Sequence, residues 1–460
     1  MARTAKNEKA LTPEEKLAQA LVPDVEQPYR VPENWCWVKW GNVGEFVAGS
    51  GFKNEYQGFT EYEIPFYKVG SLKNSDTHGF ICDNSNTINE EIRLKLKANI
   101  IPPYSVLFAK IGEAIKLNRR SINEIACCID NNMMAFIPKC LMRYAFYWTC
   151  GVDLYEYANA TTVPAIRKSD LEMIPFPLAP LAEQQRIVDR IESLFAKLDE
   201  AKEKAQAVVD GFEDRKAAIL HKAFSGELTK EWRKSEGYNI ADWKHKRFSE
   251  ICEIVRGGSP RPAGDPQYYD GNIPFMKVAD ITNNRGPYVT TTAYSIKEAG
   301  LKKTRMVEAN TLLLTNSGAT LGVPAICTFR TTFNDGIAAF LNLDQDSLLF
   351  FYFFWTSKTK ELRAINMGAA QPNLNTAIIG AIEVDIPSVA EQKKIASELE
   401  ILLNREEQAK EAAEQVIDQI DAMKKSILAR AFRGELGTND PTDEPAIELL
   451  KRSFPLSWRS

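Results

Sequence analysis

At 460 residues the chain is too long for one hydrophobic core, so at least two globular units are expected. A hydrophobic fraction of 44% with 10% aromatics is that of a folded protein, and no apolar run reaches the length of a membrane span. The net charge of −4 excludes a uniformly basic nucleic-acid binder.

In chain order, residues 1–33 are an N-terminal extension whose charged start is not an apolar signal core, so a cytoplasmic location is expected. The eight cysteines show no CxxC spacing and there are only three histidines, which favours reduced thiols over a zinc site. Residues 34–180 read as a mixed α and β domain. Ile64-Pro65-Phe66-Tyr67-Lys68-Val69 is a short strand followed by polar loop, and Ser105-Val106-Leu107-Phe108 is a buried strand. Tyr144-Ala145-Phe146-Tyr147-Trp148 is a helix buried against the sheet. A long helix is predicted over 181–230, then a linker over 231–241, a second mixed domain over 242–387, a second long helix over 388–436 and a tail over 437–460.

The second half repeats the first at a constant offset of 208. Ala182-Glu183-Gln184 returns as Ala390-Glu391-Gln392, Ala223-Phe224 as Ala431-Phe432, and Gly226-Glu227-Leu228 as Gly434-Glu435-Leu436. Trp35 and Trp243 keep the offset. An internal repeat this long fixes the architecture before any local motif does. Framework pieces match (Ile273 to Val278, Thr311 to Leu314, Leu348 to Trp355), whereas the loops differ. One scaffold therefore carries two different surfaces.

Each long helix has an apolar seam at heptad spacing. The first runs through Ile187, Ile191, Leu194, Leu198, Ala201, Ala205, Val208 and Phe212. The second takes Ile395, Leu399, Leu402, Ala409, Ala413, Val416, Ile420 and Met423, with Glu406 as a break. The two stripes predict that the helices pair with each other, and Ala201 with Ala205 and Ala409 with Ala413 would let them approach closely. Gly226 and Gly434 stand where each helix should stop.

Catalytic motifs fail their tests. Ile101-Pro102-Pro103-Tyr104 has isoleucine where an amino-methyltransferase needs a polar group, and no phosphate-cradling G-x-x-x-x-G-K-[S/T] exists. Gly257-Gly258-Ser259-Pro260 reads as a bulge or turn. His78, His221 and His245 lie in unrelated contexts. Glu183 and Glu391 read as carboxylates favouring a helix start. The chain is expected to be non-catalytic and to hold no metal.

The order of framework, Pro180-Leu181-Ala182-Glu183-Gln184-Gln185-Arg186-Ile187, heptad helix and Ala223-Phe224-Ser225-Gly226-Glu227-Leu228-Thr229, present twice, resembles the specificity subunits of type I restriction–modification enzymes. The likeness covers roughly 34–436. Pro180-Leu181-Ala182 becomes Ser388-Val389-Ala390 in the second copy. The resemblance implies an α+β fold. Two target-recognition domains would be separated by two long helices pairing as an antiparallel coiled coil, with an internal pseudo-twofold repeat. It implies a chain that recognises a bipartite site on double-stranded DNA and directs adenine methylation and restriction by partners. These would be two modification (methyltransferase) subunits and the restriction (motor and nuclease) subunits. No cofactor would be bound here; S-adenosylmethionine, with ATP and Mg2+ for restriction, would sit in the partners, and no membrane is involved.

DNA contact asks for Lys and Arg on phosphates and Arg, Asn, Gln or aromatic groups at base edges. Candidates in the first domain are Ser50, Lys53, Lys68, Lys73, Lys110, Asn118, Arg119, Arg120 and Arg167. In the second they are Arg256, Ser259, Arg261, Lys277, Asn283, Asn284, Arg285, Asn316, Thr320, Gln371 and Asn373. Residues 34–180 carry 15 basic and 15 acidic side chains and residues 242–387 carry 15 and 14, so folding must gather the cations. The competing reading is a twin-domain protein–protein scaffold that never touches DNA. A complete modifying enzyme is disfavoured by the missing cofactor motif.

Overall fold

The strand expected around Val106 forms at Val106–Ala109 with all four side chains buried, and Thr311–Thr315 repeats it. The computed structural model describes residues 12–159, 163–318, 320–365 and 374–453. The chain divides into two units, one made of 1–204 with 416–460 and the other of 205–415, so the division falls inside both long helices.

In the first unit, an antiparallel sheet runs in the order Gly44–Ala48, Met133–Pro138, Val106–Ala109, Arg120–Ile122. A smaller sheet joins Thr87–Ile88, Ile64–Tyr67 and Cys128–Ile129, the last pair being parallel. Trp40 is completely buried, with the rings of Phe46, Phe136 and Trp148 at 4.6, 4.9 and 4.8 Å. The helix Met142–Gly151 supplies Trp148 and covers the sheet, as its run of aromatic residues predicts. Ile187 and Ile191 from the first long helix and Leu428, Ala431 and Phe432 from the second complete this core. So do Ala446 and Leu450 of the helix Ala446–Ser453.

The second unit repeats this plan. Its larger sheet runs Glu253–Arg256, Ile337–Leu341, Thr311–Thr315, Pro324–Cys327, Tyr288–Val289, and its smaller one Ser295–Ile296, Tyr269–Met276, Thr331–Phe333, Arg305–Val307. Phe248 packs on Phe340, Phe351 and Trp355 from the sheet and from the helix Leu348–Ile365.

The first long helix is Leu181–Asp210 continued, after Gly211, by Phe212–Phe224; the second is Val389–Ala431 without a break. Within the first unit Lys424 pairs with Asp199 and Lys202 with Asp421, so residue numbers rise on one helix as they fall on the other. The pairing is antiparallel. Arg215 with Glu406, Nε to Oε2 at 2.6 Å, is the contact of the same kind in the second unit.

On the first helix every residue of the expected seam is buried or half-buried; on the second the expected phase needs correction. Ile187, Ile191, Ala205, Phe212, Ile395, Leu399, Ala413 and Ile420 are buried, and Leu194, Leu198, Ala201, Val208 and Leu402 are half-buried. Ala409, Val416 and Met423 instead face solvent, Val416 being 41% and Met423 47% exposed. The stripe that packs is Glu406, Lys410, Ala413, Ile417, Ile420, Lys424 and Ile427. Its charged members have partners: Lys410 Nζ lies 4.8 Å from the Phe212 ring centre and Lys424 Nζ 5.0 Å from that of Phe195. A lysine can lay its methylene stem in a seam and present its charge to a ring face, so apolar spacing alone misplaces the stripe.

Candidate functional site

Each unit has a turn between two buried strands, and the same backbone hydrogen bonds tie three segments to it. In the first unit the turn is Asp130-Asn131-Asn132. Asp130 N donates to Tyr67 O (2.9 Å), Ser50 N to Ile129 O (2.9 Å) and Lys110 N to Asn132 O (2.8 Å). In the second it is Asn334-Asp335-Gly336, where Asn334 N donates to Met276 O (3.0 Å), Gly258 N to Phe333 O (3.1 Å) and Asn316 N to Gly336 O (2.9 Å). The segments are held close. A Cβ on Gly49 would stand 1.8 Å from Asp130 O, and one on Gly257 2.2 Å from Asn334 O. That is why glycine occupies both positions, and it accounts for the first glycine of the Gly257-Gly258 pair.

The corner thus assembled gathers Ser50, Lys68 and Lys110 in the first unit. Arg256, Ser259, Arg261, Lys277 and Asn316 gather in the second. Burial raises the Asp130 carboxyl above the usual range, opposed by backbone donors and by the ammonium groups of Lys68 and Lys110. Lys68 Nζ also donates to Gln57 Oε1 (2.9 Å). Around Asp335, Arg256 Nε donates to its backbone oxygen (2.7 Å) and Ser259 Oγ to Oδ1 (2.6 Å). Arg261 Nη2 stands 3.8 Å from Asp335 Oδ2. Lys277 Nζ lies 3.2 Å from the Tyr294 ring centre. Chemically each corner is a cation-lined rim around one carboxylate, with hydroxyl or amide groups between.

The remaining candidates lie elsewhere or are differently employed. Asn118-Arg119-Arg120 is not a surface cluster. Asn118, at φ 48°, donates to Val152 O (3.0 Å), and Arg120 is 8% exposed, with its guanidinium on Asn118 Oδ1 (2.6 Å) and Arg119 O (2.9 Å). Burial lowers the Arg120 guanidinium to about 10. Arg119 alone of the three is exposed. Lys53 is exposed beside Glu55, and Lys73 is exposed at the end of the helical turn Val69–Lys73. Arg167 is exposed one residue after Ile166, whose N–H donates to Lys110 O, so it borders the first corner. Asn283, Asn284 and Arg285 follow the helix Val278–Thr282. Arg285 Nη1 reaches Glu411 Oε1 of the second long helix (3.6 Å), and Asn284 donates to Gly286 O (3.0 Å). Thr320 is exposed. Gln371 and Asn373 lie outside the described residues.

Sequence reading missed Asp130, Asp335 and Tyr294. The available signal was an Asp-Asn or Asn-Asp-Gly run between two apolar strands, which marks a turn. It also took Glu183 and Glu391 for simple helix caps. Both are buried acceptors instead: Glu183 takes hydrogen bonds from Trp35 Nε1 (2.7 Å) and Thr438 Oγ1 (3.3 Å). Glu391 takes them from Trp243 Nε1 (3.0 Å), Thr229 Oγ1 (2.7 Å) and Arg233 Nε (2.8 Å).

The family model for the type I restriction modification DNA specificity domain matches residues 32–209 and again 240–417. The chain belongs to that family. Among relatives of this specificity family, the EcoKI specificity subunit of Escherichia coli K12 is 21% identical over 439 residues, covering 91% of this chain and 92% of its own. The StySPI specificity subunit of Salmonella potsdam is 20% identical over 451 residues, 92% of this chain and 94% of its own. The crystal structure of the HsdS subunit from Thermoanaerobacter tengcongensis superposes with a TM-score of 0.62 at 18% identity, over 90% of this chain and all of that one. That likeness shows a shared fold. Among the described residues no helix is long and apolar enough to cross a membrane.

Proposed function

We propose that this specificity-family chain reads a split DNA site, one half-site per unit, through the two corners. It directs adenine methylation and restriction by partner subunits and performs neither itself. The observation that carries this reading is one corner built twice with the same backbone bonds and different side chains. That is what two unrelated half-sites ask of a duplicated scaffold. Two modification subunits would carry S-adenosylmethionine, and restriction subunits ATP and Mg2+. The cations of each rim would take phosphates, and the amide and hydroxyl groups between them would meet base edges.

The test is a salt titration of the full chain, alone and with modification subunits, on duplexes with and without the methylated site. Binding that weakens steeply with salt and prefers the site supports the reading. A chain that binds proteins but shows no salt-dependent affinity for duplex DNA is a scaffold, and the proposal fails. Methylation by the purified chain with S-adenosylmethionine alone would contradict its non-catalytic role.

A further inference from the structure

Asn316 is 1% exposed, and neither its amide nitrogen nor its oxygen has a hydrogen-bond partner among the described residues. The side-chain oxygen of Asn334, in the turn beside it, has no partner among the described residues either. Native proteins rarely leave a buried amide in this state, and each case calls for a ligand, a water or a functional reason. The Asn316 backbone, by contrast, is fixed from both sides. Its N–H donates to Gly336 O (2.9 Å) and its oxygen accepts from Leu374 N (2.7 Å).

Lys110 occupies the same position in the first unit. Its N–H donates to Asn132 O (2.8 Å) and its oxygen accepts from Ile166 N (2.9 Å). Two residues further on stand Gly112 and Gly318, at φ 84° and 79°, and a Cβ on either would meet none of the described residues within 4 Å. Among the described residues, open space therefore lies just past the end of each strand. One framework position, its backbone held by the equivalent pair of hydrogen bonds and lying two residues from that space, carries an ammonium in one unit and an unpartnered amide in the other. Its neighbours in the second corner are already engaged, Arg256 and Ser259 with Asp335 and Lys277 over Tyr294.

We propose that this strand-end position is the base-discriminating one in each corner, with Asn316 selecting adenine in the half-site of the second unit and Lys110 selecting guanine in that of the first. An amide offers one donor and one acceptor in a plane, matching N6 and N7 of adenine. An ammonium only donates, matching O6 and N7 of guanine. The assignment rests on the DNA-reading function proposed above.

The experiment uses the chain assembled with its modification subunits. Methylation is measured on duplexes in which each base pair of both half-sites is changed singly. Asn316→Leu keeps the branched shape and removes the unpaired polar atoms, so the loss of their desolvation penalty offsets the larger methyl groups. It should relax the preference at one A·T position of the second unit's half-site by about 5- to 100-fold, leaving the other half-site unchanged. Asn316→Asp, which decides the matter if the leucine variant fails to fold, should lose the same adenine preference. Lys110→Asn should alter one position of the first half-site instead. Full discrimination at every position by a folded Asn316→Leu or Asn316→Asp complex would overturn the proposal. A parent complex that shows no site preference would strike the underlying reading instead.

Discussion

At the scale of single residues, the two buried glutamates make a controlled comparison. Glu391 is an ion-paired carboxylate, with Arg233 Nε at 2.8 Å and both side chains nearly inaccessible. Among the described residues Glu183 has the neutral side-chain donors Trp35 and Thr438 at hydrogen-bond distance, and burial raises its carboxyl above the usual range against those donors and the Arg186 guanidinium. Glu391→Gln strands a buried guanidinium and should cost about 3–5 kcal/mol in urea unfolding. Glu183→Gln mimics the protonated acid and should stay within about 1 kcal/mol of the parent. The pH dependence has a definite sign. A carboxyl raised in the fold favours the protonated state there, so its contribution is present at low pH and is lost as pH rises from about 4.5 through the folded value. The stability of Glu183→Gln should therefore improve relative to the parent as pH increases; a constant difference would contradict the assignment. For the adjacent arginines, Arg119→Ala should lower the salt slope of DNA binding by about 1 if Arg119 meets a phosphate, with little loss of stability. Arg120→Ala should instead destabilise by about 2 kcal/mol, because it empties a buried, hydrogen-bonded site. Similar behaviour of the two variants in unfolding would contradict the inward placement of Arg120. Nothing in the run Asn118-Arg119-Arg120 distinguished these roles. The carbonyl that receives the Asn118 amide belongs to Val152, 34 residues away.

At the scale of elements, the repeat, the buried strands and the helix stops were legible because each follows from local chemistry. Gly226 and Gly434 adopt φ 74° and 73° beyond the helix ends, where a side chain would be strained. The phase of the second seam was not legible, since Glu406, Lys410 and Lys424 belong to it through Arg215, Phe212, Phe195 and Asp199. A pattern that counts apolar residues skips these positions and drifts to Ala409, Val416 and Met423. The corrected phase has a direct consequence. Leu399→Ala should cost about 2–5 kcal/mol, whereas Val416→Ala should change stability by less than about 0.5 kcal/mol. Equal losses in chemical denaturation would restore the original phase. The corners were half-legible. Arg256, Ser259 and Arg261 are near neighbours in sequence and were candidates together, but the turn that collects Ser50, Lys68 and Lys110 from three separated segments could only be found by folding the chain.

For the whole molecule, the paired long helices are expected to set the gap between the half-sites. Seven residues added to each helix, after Lys204 and after Gln415, lie where the division into units cuts both. They keep the antiparallel register while lengthening the pair by about 10 Å, or roughly three base pairs. The preferred gap between half-sites should widen accordingly, with the half-sites themselves unchanged; a variant that keeps the original gap would deny the helices that role. The central claim, that each unit reads its own half-site, is tested most directly by exchange. Residues 34–175 are replaced with the matching segment of another family member, the chain is assembled with its modification subunits, and the methylated adenines are sequenced in their context. One half of the methylated site should change and the other should remain. A change in both halves, or in neither, would contradict the account.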